Sequence, residues 1–466
     1  MKGKAVAWAL VATSLPMFMV AVDNLVVTNA LAVIARDLDT GPAGLQWVMS
    51  GYILAFAGLL LAGAALGDRI GRRRVFVGGT ALFTVASAAC ALAGSPGVLI
   101  AARAVQGVGG AAILPVSLTL AVAAAGAERR ALAVGVWGGV NGLGIAAGPL
   151  VGGLVTEGLD WHWIFWINVP VGLVAVPLAL WAIGESTGER RRLDVPGTVL
   201  VTAAVVAAVW GIVRFAEGGL AALGGGLAVS AALLAGFGAW QRRTPDPLVP
   251  PHLYRVRPFM LSNVLALAMY FGVFGSIFFL AQFLQTTMGY SPFEAGLRTL
   301  PWTAAPMVAV PVASALVDRI GGGILQAAGC LLQSGALVWL ALTARPGVSY
   351  GAMAAAMVVA GTGMGLVFAA NPSTVIGSVA EPEHNLASGV NNTIREFGGA
   401  LGIAVLTAVY VHGGLRSAVL TGAAVVFAGA FAGFAMGRGT ARPGSGPAPS
   451  GRHSARSAPP APSRLP

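Results

Sequence analysis

Apolar blocks of about twenty residues recur along most of this chain, separated by short clusters of charge, Gly and Pro. A helix of that length matches the hydrocarbon thickness of a bilayer, and it satisfies its own backbone N–H and C=O groups where no water is present to do so. The pattern predicts an all-α polytopic membrane protein. About fourteen transmembrane helices are expected, beginning near Trp8, Gln46, Val75, Val98, Ala131, Ile164, Val195, Leu220, Phe259, Ala295, Ile324, Tyr350, Leu386 and Ser417. With 56% hydrophobic and 10% charged residues over 466 positions, the chain is far too apolar for a single soluble core.

The formal net charge of +11 would suggest nucleic acid in a soluble protein. Here the basic residues sit in short loops and a tail, where they set orientation instead, so no nucleic-acid partner is expected. With the N-terminus inside, the inside loops hold Arg69, Arg72, Arg73, Arg74, Arg129, Arg130, Arg190, Arg191, Arg192, Arg242, Arg243, Arg255, Arg257 and Arg319. The outside loops hold only Arg36, Arg214, Arg345 and Arg416. That asymmetry predicts both termini on the cytoplasmic side. Trp161, Trp163 and Trp166 cluster at one outer edge, as interfacial aromatics do. Asp23 interrupts what would otherwise pass for a signal-peptide core, so the first block is read as a spanning helix. Cys90 and Cys330 both fall within apolar segments and are expected to be packing residues, with no metal site. Residues 437–466, rich in Pro, Ser, Gly and Arg, read as a disordered cytoplasmic tail.

The chain also repeats itself in one register, at an offset of 250 residues. Asp68-Arg69-Ile70-Gly71 recurs as Asp318-Arg319-Ile320-Gly321, and Gly139-Val140-Asn141 as Gly389-Val390-Asn391. The second span then maps to the tenth and the fifth to the thirteenth, giving a 6 + 2 + 6 arrangement. The expected units are an N-terminal six-helix bundle (1–185), two extra helices with linkers (186–250), a C-terminal six-helix bundle (251–436) and the tail. Parallel repeats of this kind place a substrate path at their interface.

Leu66-Gly67-Asp68-Arg69-Ile70-Gly71-Arg72-Arg73-Arg74, Arg103-Ala104-Val105-Gln106-Gly107, the run Gly144-Ile145-Ala146-Ala147-Gly148-Pro149-Leu150-Val151-Gly152-Gly153, Trp161 to Pro170 and Asp194-Val195-Pro196-Gly197 resemble motifs of one family. It is the major facilitator superfamily, and specifically its fourteen-helix drug:proton antiporter family. Val22-Asp23-Asn24 through Asn29-Ala30-Leu31 is similar to the same group's first-helix signature. Two positions depart from the pattern. Ala64 stands where the loop motif opens with Gly, with Gly63 one place earlier, and His162 stands where Arg is common. The resemblance implies a transporter rather than an enzyme, an exporter that exchanges substrate for protons.

Asp23 is the acidic residue expected to couple protons, because a carboxylate inside a span is costly and its proton affinity follows its neighbours. A structural hydrogen bond is the competing role. Arg103 is its candidate partner, since the two lie about 12 and 9 Å below the outer membrane face at 1.5 Å per residue. A static ion pair is the alternative there, and the resemblance implies a role in proton coupling. Asp68, Arg69, Gly71, Arg72 and Arg73 are expected to form a conformational latch in the loop. Gly144, Gly148, Pro149, Gly152 and Gly153 are expected to give a tightly packed, bent helix. Arg395 and Glu396, adjacent and diverging by about 100°, are candidates to line a cavity, together with Arg298 and Asn391; an internal structural pair with a neighbouring helix is the competing role. Ser291-Pro292-Phe293-Glu294 has capping-box spacing, which accounts for Glu294 without transport.

No phosphate-binding Gly-Lys-Ser/Thr loop is present, so the expected energy source is the proton gradient, with no cofactor. The leading reading is a proton-coupled exporter of lipophilic, drug-like or antibiotic-like compounds in the bacterial cytoplasmic membrane, working as a monomer among lipids. The alternatives are a dedicated exporter of one endogenous metabolite and a non-transporting sensor or scaffold on the same fold. Charge does not decide the substrate, because Asp23 and Glu396 suit cations whereas Arg103, Arg298 and Arg395 suit anionic or neutral polar groups. Met269, Tyr270, Phe271, Phe274, Phe278 and Phe279 either line an adaptable cavity or pack.

Overall fold

The computed structural model describes residues 2–126, 129–187, 194–345, 347–380 and 383–436. The tail at 437–466 and Arg190 to Arg192 lie outside the described residues, as do the side chains of Asn24, Asn29, Arg130 and Asp318. The regular elements are all helical: α1 (Lys2–Asp37), α2 (Pro42–Ile70), α3 (Arg72–Ala91), α4 (Pro96–Ala125), α5 (Arg130–Gly158), α6 (Trp163–Trp166), α7 (Asn168–Ala182), α8 (Val195–Gln241), α9 (Arg257–Thr286), α10 (Pro292–Ile320), α11 (Gly322–Thr343), α12 (Tyr350–Gly377) and α13 (His384–Met436). Among the described residues thirteen helical segments are long and apolar enough to cross a bilayer. The last, Leu386–Met436, is 51 residues long and bends at a non-helical glycine, Gly414, so it holds the two spans expected from Leu386 and Ser417. Gly219 breaks α8 the same way, into the segments Val195–Phe215 and Gly219–Gln241. At 36 residues, or about 54 Å, α1 outruns any bilayer core. Asp23 therefore lies further from the α1 C-terminus than an end near Leu31 predicts.

The helix ends follow local chemistry. Ser95 accepts from the Val98 N–H ahead of Pro96, and Ser291 and Glu294 complete the capping box at α10. The 250-residue offset is also visible in the backbone. Gly71 turns α2 into α3 at φ 120°, ψ 125°, and Gly321 turns α10 into α11 at φ 93°, ψ 139°, a left-handed region that favours glycine.

One bundle is built by α4 packing on α2 and α3, α5 on α1, and α7 on α3 and α1; a second by α9 and α11 on α13, and α12 on α10 and α11. The two meet along α5–α10 and α2–α13. Glycine sets several of these approaches. A Cβ on Gly152 would strike the Val26 carbonyl of α1, and one on Gly402 would strike the Phe271 carbonyl of α9, so the repeat uses the same device twice. Gly153 meets the Pro292 backbone of α10 in the same way. Gly63, not Ala64, makes the close approach to Ala111 of α4, which explains how the loop motif tolerates its shifted glycine. Pro149 lies inside the continuous α5.

The α8 hairpin packs against both α2 and α13. Thr202 sits over Gly58 of α2, and Phe215 lies 5.6 Å from the His412 ring of α13. Its two arms are gathered at one carboxylate. Asp194 caps α8 through the Gly197 N–H (2.9 Å) and accepts from Trp240 Nε1 (2.7 Å), Gln241 Nε2 (2.6 Å) and the Leu248 N–H (2.9 Å). Burial alone raises a carboxyl's pKa, but these donors outweigh it and hold Asp194 below the usual aspartate range.

Of the three clustered tryptophans only Trp163 is exposed. Trp161 is buried, stacked on His162 and hydrogen-bonded from Nε1 to Asp37 Oδ2 at 2.8 Å, so it anchors α1 and is not a lipid-facing residue. Cys90 and Cys330 are both buried.

Two outcomes follow. Gly152→Val is expected to lower stability by about 1–3 kcal/mol in a thermal-melting assay, whereas Gly142→Ala, with open space around its Cβ, stays within about 0.5 kcal/mol. Because the folded Asp194 pKa is depressed, its stabilisation is complete above the unfolded value of about 4 and is lost as pH falls through the folded value. Asp194→Ala is therefore expected to cost stability at pH 7, with the difference from wild type shrinking on acidification below about pH 4, read by the same assay.

Candidate functional site

Asp23 and Arg103 are both fully buried, and α1 and α4 bring them into a direct ion pair between Oδ2 and Nη1. An uncompensated charge in this setting is expensive, and every element nearby contributes to covering it. Asp23 Oδ1 accepts from Gln106 Nε2 (2.9 Å) and Asn168 Nδ2 (3.2 Å). Arg103 Nη1 also donates to Gln106 Oε1 (2.7 Å). The Arg103 guanidinium lies over the Tyr52 ring of α2, 4.2 Å from its centroid, while its Nε and Nη2 make no hydrogen bond. The ring faces the cation where polar partners are missing. Ser87 of α3 joins the cluster, accepting from Gln106 Nε2 (3.2 Å) and Asn168 Nδ2 (2.9 Å) and donating to the Phe165 carbonyl (3.0 Å). Cys90 is more than packing, since its Sγ contacts Gln106 Oε1 at 3.7 Å.

Gln106 and Asn168 stand inside motif runs of the sequence without a role of their own, and Ser87 lies outside every such run. Gln106 had a usable signal, since it stands three places after Arg103 and shares its helix face. Asn168 begins α7 and Ser87 lies mid-helix in α3; neither carries a spacing signal.

The 250-residue register has no second copy of this chemistry. Positions 273, 353, 356, 337 and 418 hold Val273, Met353, Ala356, Leu337 and Ala418, all buried and apolar.

At the α2–α3 turn, Asp68 Oδ1 takes Arg72 Nη2 (2.7 Å) and Nε (2.8 Å). Arg73 N–H donates to Glu185 Oε1 (2.9 Å), Arg73 Nη1 to the Ile183 carbonyl (3.2 Å), and Arg74 Nε lies 3.7 Å from Glu185 Oε2. The Glu185 carboxylate thus occupies the N-terminal end of α3, where the helix dipole favours an anion, and a Cβ on Gly71 would collide with it. These contacts lie within one bundle, between the α2–α3 turn and the segment after α7; Arg69 is exposed. Glu185 was not read from the sequence, because it follows its helix by three residues and matches no motif.

At the α5–α10 junction, Glu157 Oε2 accepts from Ser291 Oγ (2.5 Å) and the Phe293 N–H (3.1 Å), a polar contact that crosses between bundles. Arg298 lies against the Tyr290 ring, 3.7 Å from its centroid, with Nη1 3.7 Å from Glu294 Oε1. That is two turns into α10, and the hydrogen bond, ion pair and ring contacts of Arg298 are with Glu294, Tyr290 and Tyr350. Arg395 and Glu396 diverge as expected. Arg395 turns into its own bundle, over Tyr270 (4.4 Å) and towards Phe368, and donates to Asn392 Oδ1 (3.1 Å). Glu396 interacts electrostatically with Tyr52 of the other bundle, and its Oε2 has no hydrogen-bond partner. Asn391 is buried and donates to Asn263 Oδ1 at 3.0 Å, a contact between α13 and α9. Of the α9 aromatics, Tyr270 stacks on Phe274 and Phe279 on Tyr410, so most of that cluster packs.

The chain is 34% identical over 402 residues to the tetracenomycin C resistance and export protein of Streptomyces glaucescens, an alignment covering 85% of this chain and 74% of that protein. It is 37% identical over 415 residues to the cephamycin export protein CmcT of Amycolatopsis lactamdurans, covering 86% and 84% respectively. Among solved structures, a POT family transporter in complex with 5-aminolevulinic acid superposes with a TM-score of 0.70 at 13% identity, covering 93% of this chain and 96% of that one. At that identity the likeness concerns the fold alone. The family model described as Major Facilitator Superfamily matches residues 13–403 and again 266–460, and the chain belongs to that superfamily.

Proposed function

We propose that this protein is a proton-coupled antiporter that exports drug-like or antibiotic-like small molecules across the bacterial cytoplasmic membrane by alternating access. The observation that carries the reading is the fully buried Asp23–Arg103 pair inside the spanning helices. A carboxylate there exchanges a proton when its cationic partner moves closer or further away, and a change of bundle packing supplies that movement. In this reading residues 1–185 and 251–436 are the rocking halves, 186–250 an added hairpin, and the arginine-rich loops face the cytoplasm with both termini. The proton gradient is the energy source, and no cofactor takes part.

The substrate class comes from the relatives, several of which are named for resistance to, or export of, antibiotics. A second reading, a dedicated exporter of one compound, is favoured by names that specify a single antibiotic, such as tetracenomycin C.

Efflux of cationic, neutral and anionic compounds from drug-sensitive cells, with and without a protonophore, tests both. Asp23→Asn is expected to abolish proton-coupled export while the protein stays inserted, because the amide keeps the shape of the side chain and one acceptor oxygen, although its new N–H₂ faces another donor. Arg103→Ala strands a buried carboxylate, a loss of about 3–5 kcal/mol when the charge persists, and is expected to abolish export and lower the melting temperature as well. Full export by either variant at wild-type membrane levels removes the coupling assignment. Export of one panel member alone selects the dedicated exporter.

A further inference from the structure

The Asp23 cluster contains a hydrogen-bond chain whose direction is fixed. Arg103 can only donate, so the Gln106 oxygen faces it and the Gln106 amide N–H₂ faces the other way, towards Asp23 Oδ1 and Ser87 Oγ. The Asn168 N–H₂ likewise divides its two hydrogens between Asp23 Oδ1 and Ser87 Oγ. A hydroxyl has one hydrogen and two lone pairs. Ser87 gives its hydrogen to the Phe165 carbonyl and both lone pairs to the two amides, so its capacity is fully used. Both amides are thereby held with N–H towards the carboxylate.

The geometry points to Ser87 as a positioning residue for Asp23, which it does not touch, and to Asn168 as the second donor through which it acts: together they set the proton affinity of Asp23. Ionised Asp23 accepts from Arg103 Nη1, Gln106 Nε2 and Asn168 Nδ2. Protonated Asp23 presents an O–H to neighbours that themselves present N–H, so each locked amide favours the charged form. Asn168 is also the first residue of α7, so its bond ties the start of that helix to the charge on α1. The ionisable groups around Asp23 are Arg103 on α4, Tyr52 on α2 and Cys90 on α3, with Glu396 of α13 beyond Tyr52. Among the described residues no ionisable side chain of α5, α6, α7, α9 or α10 has a hydrogen bond or ion pair with it.

This inference rests on the proposed proton-carrying role of Asp23, and the test separates the two. The full-length purified protein in lipid nanodiscs is titrated from about pH 4 to about pH 10, following by infrared difference spectroscopy the carboxylic-acid band that disappears in Asp23→Asn. No transported compound is needed. Asn168→Leu removes a direct donor and is expected to raise the midpoint of that band by about one pH unit, a tenfold gain in proton affinity. Ser87→Ala is expected to raise it by less, and Ser87→Thr, which keeps the hydroxyl, to return it to the wild-type midpoint. A midpoint unmoved in both Asn168→Leu and Ser87→Ala overturns the positioning role and leaves the carrier reading intact. The absence of any Asp23-dependent band across the range, in wild type and variants alike, overturns the carrier reading itself.

Discussion

A charge buried among apolar helices has to be covered from every side, and in this protein that requirement organises the first bundle. Asp23 gathers α4 through Arg103 and Gln106 and α7 through Asn168; Ser87 brings in α3, and Tyr52 of α2 lies under the guanidinium. Five helices are tied to one carboxylate without any being held by apolar contact alone. Lipid tails compete with side chains for apolar surface, so polar contacts of this kind and close glycine packing are what give membrane helices fixed neighbours.

The parts of the fold governed by local pattern were legible in the sequence. Span length, the recurrence of Gly71 as Gly321, the Ser291–Glu294 capping box and the span starts near Leu220 and Ser417, beside the breaks at Gly219 and Gly414, each follow from a few consecutive residues. The pairing of Asp23 with Arg103 was also within reach, because both are charges in spans and their depths were similar. The covering residues were not. Ser87 and Asn168 are ordinary in an apolar helix until a carboxylate from another helix arrives, and Glu185 matters only because α7 ends beside the α2–α3 turn. Trp161 misled for the same reason: its sequence context is that of an interfacial residue, and only the position of Asp37 turns it inward.

The repeat also separates architecture from chemistry. Glycine turns and glycine-mediated helix contacts recur 250 residues apart, while the positions matching the Asp23 cluster are Val273, Met353, Ala356, Leu337 and Ala418. Backbone geometry needs small residues at a few points and survives in both copies. A buried charge needs several partners at once, so it persists as a set or not at all.

The position of α8 gives the molecule two unlike flanks. The bundles meet chiefly along two seams, α2–α13 and α5–α10, with α1 against α9 and α10 as well, and α8 packs on both members of the first pair. Thr202 over Gly58 and Phe215 beside His412 place it across that seam, and Asp194 keeps its two arms together there. Among the described residues α8 thus shields the α2–α13 flank from the surrounding lipid, while no helix from outside the two bundles packs on the α5–α10 flank.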